Sequence, residues 1–197
     1  WSFFSSYYYT WINDMIMRSP IETGKSNVLK ANGDGYIQGV EIELSYDWTQ
    51  SWKSDIRLSW MDGKIEQLLD NNATGTVSID GRNYSPTDRS ITRLMPPQIY
   101  FSTRFTPQNS NWWAEFSALA VSKADKLSLK DETDGSRIPK DGTPSYLTFG
   151  IRGSRKLTKN SSLYIGIENL TDEDYRVHGS GLNGSGRNFI ISLSNRF

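Results

Sequence analysis

The residues with the most chemical potential lie near the end of the chain. Gly179-Ser180-Gly181-Leu182-Asn183-Gly184 spells G-x-G-x-x-G. A dinucleotide site needs that pattern between a strand and a helix whose N-terminus holds the pyrophosphate. Strand-like sequence follows it here, so the segment reads as a hairpin loop. His178, the single histidine, sits beside it and is the candidate ligand contact in that loop. An imidazole can ligate haem or a chelated metal, whereas the default for a loop histidine is solvation. Asp172, Glu173 and Asp174 offer oxygens suited to Ca²⁺, as does Asp70 with Asn71 and Asn72, yet neither group completes a calcium-loop pattern. Cysteine is absent, which removes thiolate chemistry and disulfides. No nucleophile triad, pair of catalytic carboxylates or Walker loop is present, so the sequence reads as a non-enzyme with no cofactor.

A second set of charges is spaced by alternation. Glu41 and Glu43 alternate with Val40, Ile42, Leu44, Tyr46 and Trp48, and Arg57 alternates with Ile56, Leu58 and Trp60. Arg104 lies between Thr103 and Phe105, Glu115 among Trp112, Ala114, Phe116, Ala118 and Ala120, and Arg152 after Leu147, Phe149 and Ile151. Glu168 follows Leu163, Ile165 and Ile167, and Arg196 follows Phe189, Ile191 and Leu193. A period of two puts the apolar residues on one face of a strand and the charges on the other. That pattern suits a soluble sheet with a wet outer face, or a transmembrane strand with a wet lumen.

The elements that must carry these residues are strands throughout. Eight segments are expected: Ser2 to Arg18, Tyr36 to Trp48, Trp52 to Leu68, the stretch after Pro96-Pro97 to Phe105, Trp112 to Leu127, Tyr146 to Leu157, about Leu163 to Glu168, and the final stretch to Phe197. The first is so rich in rings that its facing stays open. Thr76 to Ile79 is a possible local pair, Ser128 to Pro144 reads as a polar loop, and no helical periodicity of useful length occurs. Short connections follow Trp48, Phe105 and Leu157, and long ones follow Arg18, Leu68, Leu127 and Tyr175. Alternate short and long connections are the habit of outer-membrane barrels.

Bulk properties agree. Lys+Arg and Asp+Glu are both 22, so nothing in the net charge points to nucleic acid. Mean hydropathy is −0.57, but a barrel hides its apolar residues at alternate positions. Aromatics make up 13% of the 197 residues, as rings in two interfacial girdles would require. The chain opens on Trp1 in strand-like sequence with no signal peptide, which suggests a fragment or a processed product.

Several stretches carry a family resemblance. Gly39-Val40-Glu41-Ile42-Glu43 resembles the G-x-E-x-E strand of TonB-dependent outer-membrane receptors. Asn169-Leu170-Thr171-Asp172-Glu173-Asp174-Tyr175 resembles their penultimate-strand signature, and Gly184-Ser185-Gly186-Arg187-Asn188 resembles the lead-in to their last strand, with Ser185 in place of the usual proline. Arg137 to Tyr146 resembles one of their loop-to-strand passages. Phe197 matches the terminal aromatic read by the barrel-assembly machinery.

The resemblance implies an all-β, antiparallel up-and-down transmembrane barrel of the 22-stranded type, of which residues 1–197 form the C-terminal part. It implies a Gram-negative outer membrane, a TonB complex engaged through an N-terminal plug that this sequence lacks, and uptake of a bulky small-molecule ligand such as a ferric siderophore. Glu41, Glu43, Arg57, Arg104, Glu115, Arg152, Glu168 and Arg196 would then face the lumen and plug. The alternatives are a self-contained eight-stranded barrel with a structural or adhesive role, and a soluble β-sandwich or lipocalin-like module.

Overall fold

A computed structural model describes residues 1–18, 30–68, 77–79, 82–84 and 89–196. The period-two alternation produces strands: β1 (Ser2–Arg18), β2 (Lys30–Asp47), β3 (Trp52–Leu68), β4 (Val77–Ile79), β5 (Arg82–Tyr84), β6 (Arg89–Ser90), β7 (Gln98–Phe105), β8 (Trp112–Val121), β9 (Tyr146–Lys156), β10 (Ser161–Glu168) and β11 (Asn188–Asn195), with one short helix, α1 (Leu129–Thr133), between β8 and β9. The main sheet runs β1-β2-β3-β7-β8-β9-β10-β11, with β6 added to β3, while β4 and β5 form the local pair that the sequence suggested around residues 76–79. Neighbours along the sheet are antiparallel. This is an all-β, partial barrel wall.

Register fixes the faces. Ile42, Leu58, Ile99, Ala120 and Leu147 lie opposite one another across five strands, and Leu44, Ile56, Phe101, Ala118 and Phe149 form the next such row. β1 settles in the same way: Phe3 pairs with Leu44 and Tyr7 with Val40, so Phe3, Tyr7, Tyr9 and Trp11 join the apolar face. The rings on its other face include Tyr8, which lies where a Cβ on Gly39 would sit. Apolar side chains along this face are exposed, among them Ile56, Ile99, Leu147, Ile191 and Leu193. The buried apolar residues are instead gathered mostly in the connections, at Leu94, Ala124, Leu127, Leu129 and Ile138. An apolar face this broad needs a non-aqueous neighbour.

The short connections gather at one end. Thr49 and Thr158 do the same work in two of them: each hydroxyl accepts hydrogen bonds from two backbone N–H groups ahead of it, those of Ser51 and Trp52 and those of Asn160 and Ser161. Gln108 Nε2 donates to Gln50 Oε1 at 2.7 Å, tying neighbouring turns together. A girdle of rings marks this end, with Tyr46 on Trp48 and Trp52, Phe105 and Trp112 in sequence at 4.7–5.9 Å between centroids.

Three expectations change. β2 starts at Lys30, before Tyr36, because the chain passes a bulge between Asp34 and Gly35 and continues pairing. A Cβ on Gly35 would stand 2.2 Å from the Lys64 carbonyl oxygen, so that crossing admits glycine alone. β8 stops at Val121 instead of Leu127, and the segment read as a polar loop with no helix contains α1 and a buried cluster. An eight-stranded closed barrel would pair β1 with β11, but these strands are the two edges of the sheet. A sandwich or lipocalin would cover the apolar face, and the described residues leave it open.

Candidate functional site: the charged face and the loop platform

The strongest electrostatic feature of the polar face is a row across β7, β8 and β9. Arg104 lies opposite Glu115, and Glu115 opposite Arg152. Arg104 donates through Nε at 2.7 Å and Nη2 at 2.6 Å to Oε2 of Glu115, and Arg152 donates through Nε at 2.7 Å and Nη2 at 2.5 Å to Oε1. Each guanidinium thus takes one carboxylate oxygen with two N–H groups, a strong charge-assisted arrangement. The Glu115 side chain is 4% exposed, against 42% and 43% for the arginines. The Arg104 guanidinium also lies 4.2 Å from the centre of the Trp113 ring. The row carries a net charge of +1 and leaves guanidinium donors facing solvent.

The other charges named from alternation are placed on this face but not joined to the row. Arg57 pairs with Glu43 in register, at 3.8 Å with both side chains 60% exposed, and its guanidinium stands 5.8 Å from the Tyr100 ring centre. Glu41 lies opposite Ser59, and Glu168 opposite Asn188. Arg196 is exposed, and its backbone N–H donates to the Asn160 carbonyl. Phe197 lies outside the described residues, as do Asp70, Asn71 and Asn72.

At the opposite end from the tight turns, three connections are built into one platform. Ser128 caps α1 with a reciprocal capping box: its hydroxyl accepts from the Asp131 N–H, and the Asp131 carboxylate accepts from the Ser128 N–H. Asp131 is 1% exposed. Its Oδ2 also accepts from the Arg93 backbone N–H at 3.0 Å, which fixes the β6–β7 connection to α1. Arg93 there adopts φ 58 and reaches Asp134 at 3.7 Å. Ser128 Oγ donates to Thr92 Oγ1, adding a second tie.

The β10–β11 connection is organised by Asn169, at φ 49. Its amide donates to the Glu173 and Ser185 carbonyls, and its oxygen accepts from the Glu173 N–H. Asp172 Oδ1 accepts from the Arg187 N–H, and Asp174 Oδ1 accepts from Asn183 Nδ2. The acids considered for Ca²⁺ are thus partly occupied as loop braces. Among the described residues no cluster of three or more His, Asp or Glu side chains is arranged to hold a metal ion. The G-x-G-x-x-G stretch runs into β11 with no helix after it.

His178 differs most from its default. It is buried, 7% exposed. Nδ1 lies 2.9 Å from the Thr143 hydroxyl, and Nε2 has no hydrogen-bond partner. Thr143 is itself bridged by backbone hydrogen bonds to Ala124. Burial lowers the pKa of the imidazole, Arg93 lowers it further, and Asp131 opposes the shift. The platform was missed in the sequence, although Ser128-Leu129-Lys130-Asp131 has capping-box spacing and was the signal that could have found it.

The family model described as TonB dependent receptor-like, beta-barrel, matches residues 1–170. No curated protein matches. Among solved structures, the chain is similar to the copper transporter OprC (22% identity, TM-score 0.75, covering 99% of this chain and 28% of that one). It is similar also to the ferric yersiniabactin uptake receptor FyuA from Yersinia pestis (14%, 0.61, 99% and 27%). A third likeness is to the outer membrane transporter YddB from Escherichia coli (18%, 0.62, 98% and 30%). At these identities the likeness is one of fold, and the chain spans under a third of the length of each. The alternating strands, the open apolar face and the family match over most of the chain lead to one conclusion: the chain belongs to the TonB-dependent receptor family, in its β-barrel region.

Proposed function

We propose that residues 1–197 form the C-terminal part of the barrel of an outer-membrane receptor that imports a bulky, scarce nutrient, a ferric siderophore or a similar metal chelate. Receptors of this family bind small-molecule ligands and TonB. Their relatives' names point to metal cargo, copper for OprC and ferric yersiniabactin for FyuA. In this reading the apolar face meets outer-membrane lipid and the polar face lines the lumen. The Arg104–Glu115–Arg152 row, with Glu41, Glu43, Arg57, Glu168 and Arg196, meets a plug contributed by other parts of the polypeptide. The TonB complex would act through that plug, and Phe197 would serve the barrel-assembly machinery. The protein acts as a transporter, not as an enzyme, and needs no nucleic acid.

The observation that carries the reading is the division of one continuous sheet into an exposed apolar face and a charged face, with tight turns at one end and a loop platform at the other. A soluble module has no use for that division. The test is growth. A strain lacking the receptor should fail to grow on one ferric chelate, or one metal supplied at limiting concentration, while using others normally. Restored growth from a plasmid copy is expected, and unchanged growth on every metal source tried would remove the transport reading.

A further inference from the structure

We propose that His178 and Thr143 form a proton-sensitive latch, holding the β10–β11 connection against the β8–β9 connection near neutral pH and releasing it in acid. The two residues make a buried side-chain hydrogen bond between these connections, with the ring nitrogen 2.9 Å from the hydroxyl; beside it the rings of Tyr146 and Tyr175 pack at 4.6 Å, a contact that does not titrate in this range. Thr143 is anchored behind by the two-way backbone bridge to Ala124, and His178 by the turn in which the Ser180 N–H donates to the Val177 carbonyl. Gly179 at φ +77 follows, with the Arg93 side chain where a Cβ would sit. The latch thus joins two ordered segments instead of two frayed ones.

Neutral imidazole suits this seat. One ring nitrogen is bonded, and the other is buried without a partner. Protonation makes both nitrogens donors and puts a charge on the buried ring, while Nε2 has no hydrogen-bond partner to share it. The groups facing the ring do not resolve this. Asp131, on α1, favours the charged ring, but its Oδ2 is turned to the N–H groups of Arg93 and Ser128 and burial outweighs its pull; Arg93, on the β6–β7 connection, is a cation. On the ring's own loop, Arg176 and Asp174 are both engaged with Asn183. An imidazolium is relieved by moving to water, which parts the loops.

The sign follows from the direction of the shift. The closed form holds its imidazole below the ordinary value of about 6.5, so it binds fewer protons than the open form. The latch is therefore fully present above that value and weakens as pH falls through it.

This goes beyond the transport reading and is tested apart from it, because hydrogen exchange reports on the loops whatever the cargo. The complete receptor in detergent would be compared at about pH 7.5 and pH 5, with rates corrected for intrinsic exchange. Peptides spanning residues 140–146 and 175–184 should exchange about tenfold faster in acid, while β7 and β8 stay protected. His178→Gln, which stays neutral, should remove the pH dependence. Thr143→Val should exchange at the acid rate already at the higher pH, and this second variant decides the matter if the first does not assemble. Equal protection at both pH values, or an acid response retained by His178→Gln, would overturn the latch.

Discussion

At the scale of single residues, the same pairing of charges has very different consequences depending on burial. Glu115 is enclosed and shared by two guanidinium groups, while Glu43 and Arg57 meet loosely in solvent. Removing a carboxylate that anchors a buried pair leaves cations without a partner, which costs several kcal/mol when both are enclosed. Here the arginines are partly hydrated, so the cost is discounted. Glu115→Ala is expected to destabilise the folded barrel by about 2–3 kcal/mol and Glu43→Ala by under about 0.5 kcal/mol. Urea unfolding of the detergent-solubilised receptor, followed by the mobility shift between folded and unfolded forms on unheated gels, measures both. Equal midpoints for the two variants would remove the special standing of the row. The sequence displayed all three members of that row, since each falls on the polar side of an alternating strand. It did not display their convergence, which depends on strand register set by turns tens of residues apart. His178 was less legible still: its partner Thr143 is 35 residues away, and nothing local separates a buried imidazole from a solvated one.

At the scale of elements, alternation made the strands readable and a lack of periodicity hid the platform. Each strand of the sheet repeats one simple environment on each face, so the sequence repeats it too. The β8–β9 connection buries only a few residues at irregular spacing, Leu127, Leu129, Asp131 and Ile138 among them, and a five-residue helix is too short to show a 3.6-residue period. Its composition therefore looks like that of any polar loop. One buried carboxylate nevertheless joins its polar ties: Asp131 Oδ2 receives both the Arg93 and the Ser128 N–H. Asp131→Ala would orphan the N–H groups of Arg93 and Ser128 and remove half of the capping box, a local loss of about 2 kcal/mol. The expected outcome is faster protease nicking between Val121 and Tyr146 in intact cells, with the barrel itself still resistant to denaturation on unheated gels. Unchanged nicking would mean that the platform is held by its apolar contacts. Asn169 plays the corresponding part in the next loop, where its left-handed backbone and three side-chain hydrogen bonds make the Asn-Leu-Thr-Asp stretch a brace.

At the scale of the whole molecule, the decisive quantity is the height of the apolar face. On β3 the outward positions run from Trp52 through Ile56 and Leu58 to Trp60, and then turn polar at Asp62, which accepts hydrogen bonds from Lys126 at 2.7 Å and Tyr36 at 3.3 Å. The eight residue-to-residue steps from Trp52 to Trp60 span roughly 26 Å of strand, or about 20 Å along the normal at the usual tilt of transmembrane strands. That is close to the apolar band of an outer-membrane barrel, with rings at each limit. Position within that band sets the penalty for a charge. Ile56→Arg, on the apolar face, is expected to cost about 2–4 kcal/mol and to deplete the folded receptor from the outer-membrane fraction. Ser59→Arg, three residues on but on the polar face opposite Glu41, should leave assembly close to normal, because in the proposed transporter that face lines a wet lumen and a carboxylate stands across from it. A soluble module would respond in reverse: an arginine on its exposed face would be harmless, and one on its enclosed face would not. Quantifying heat-modifiable receptor in membrane fractions of the two variants separates these cases, and normal assembly of Ile56→Arg would mean that the apolar face is covered by something other than lipid.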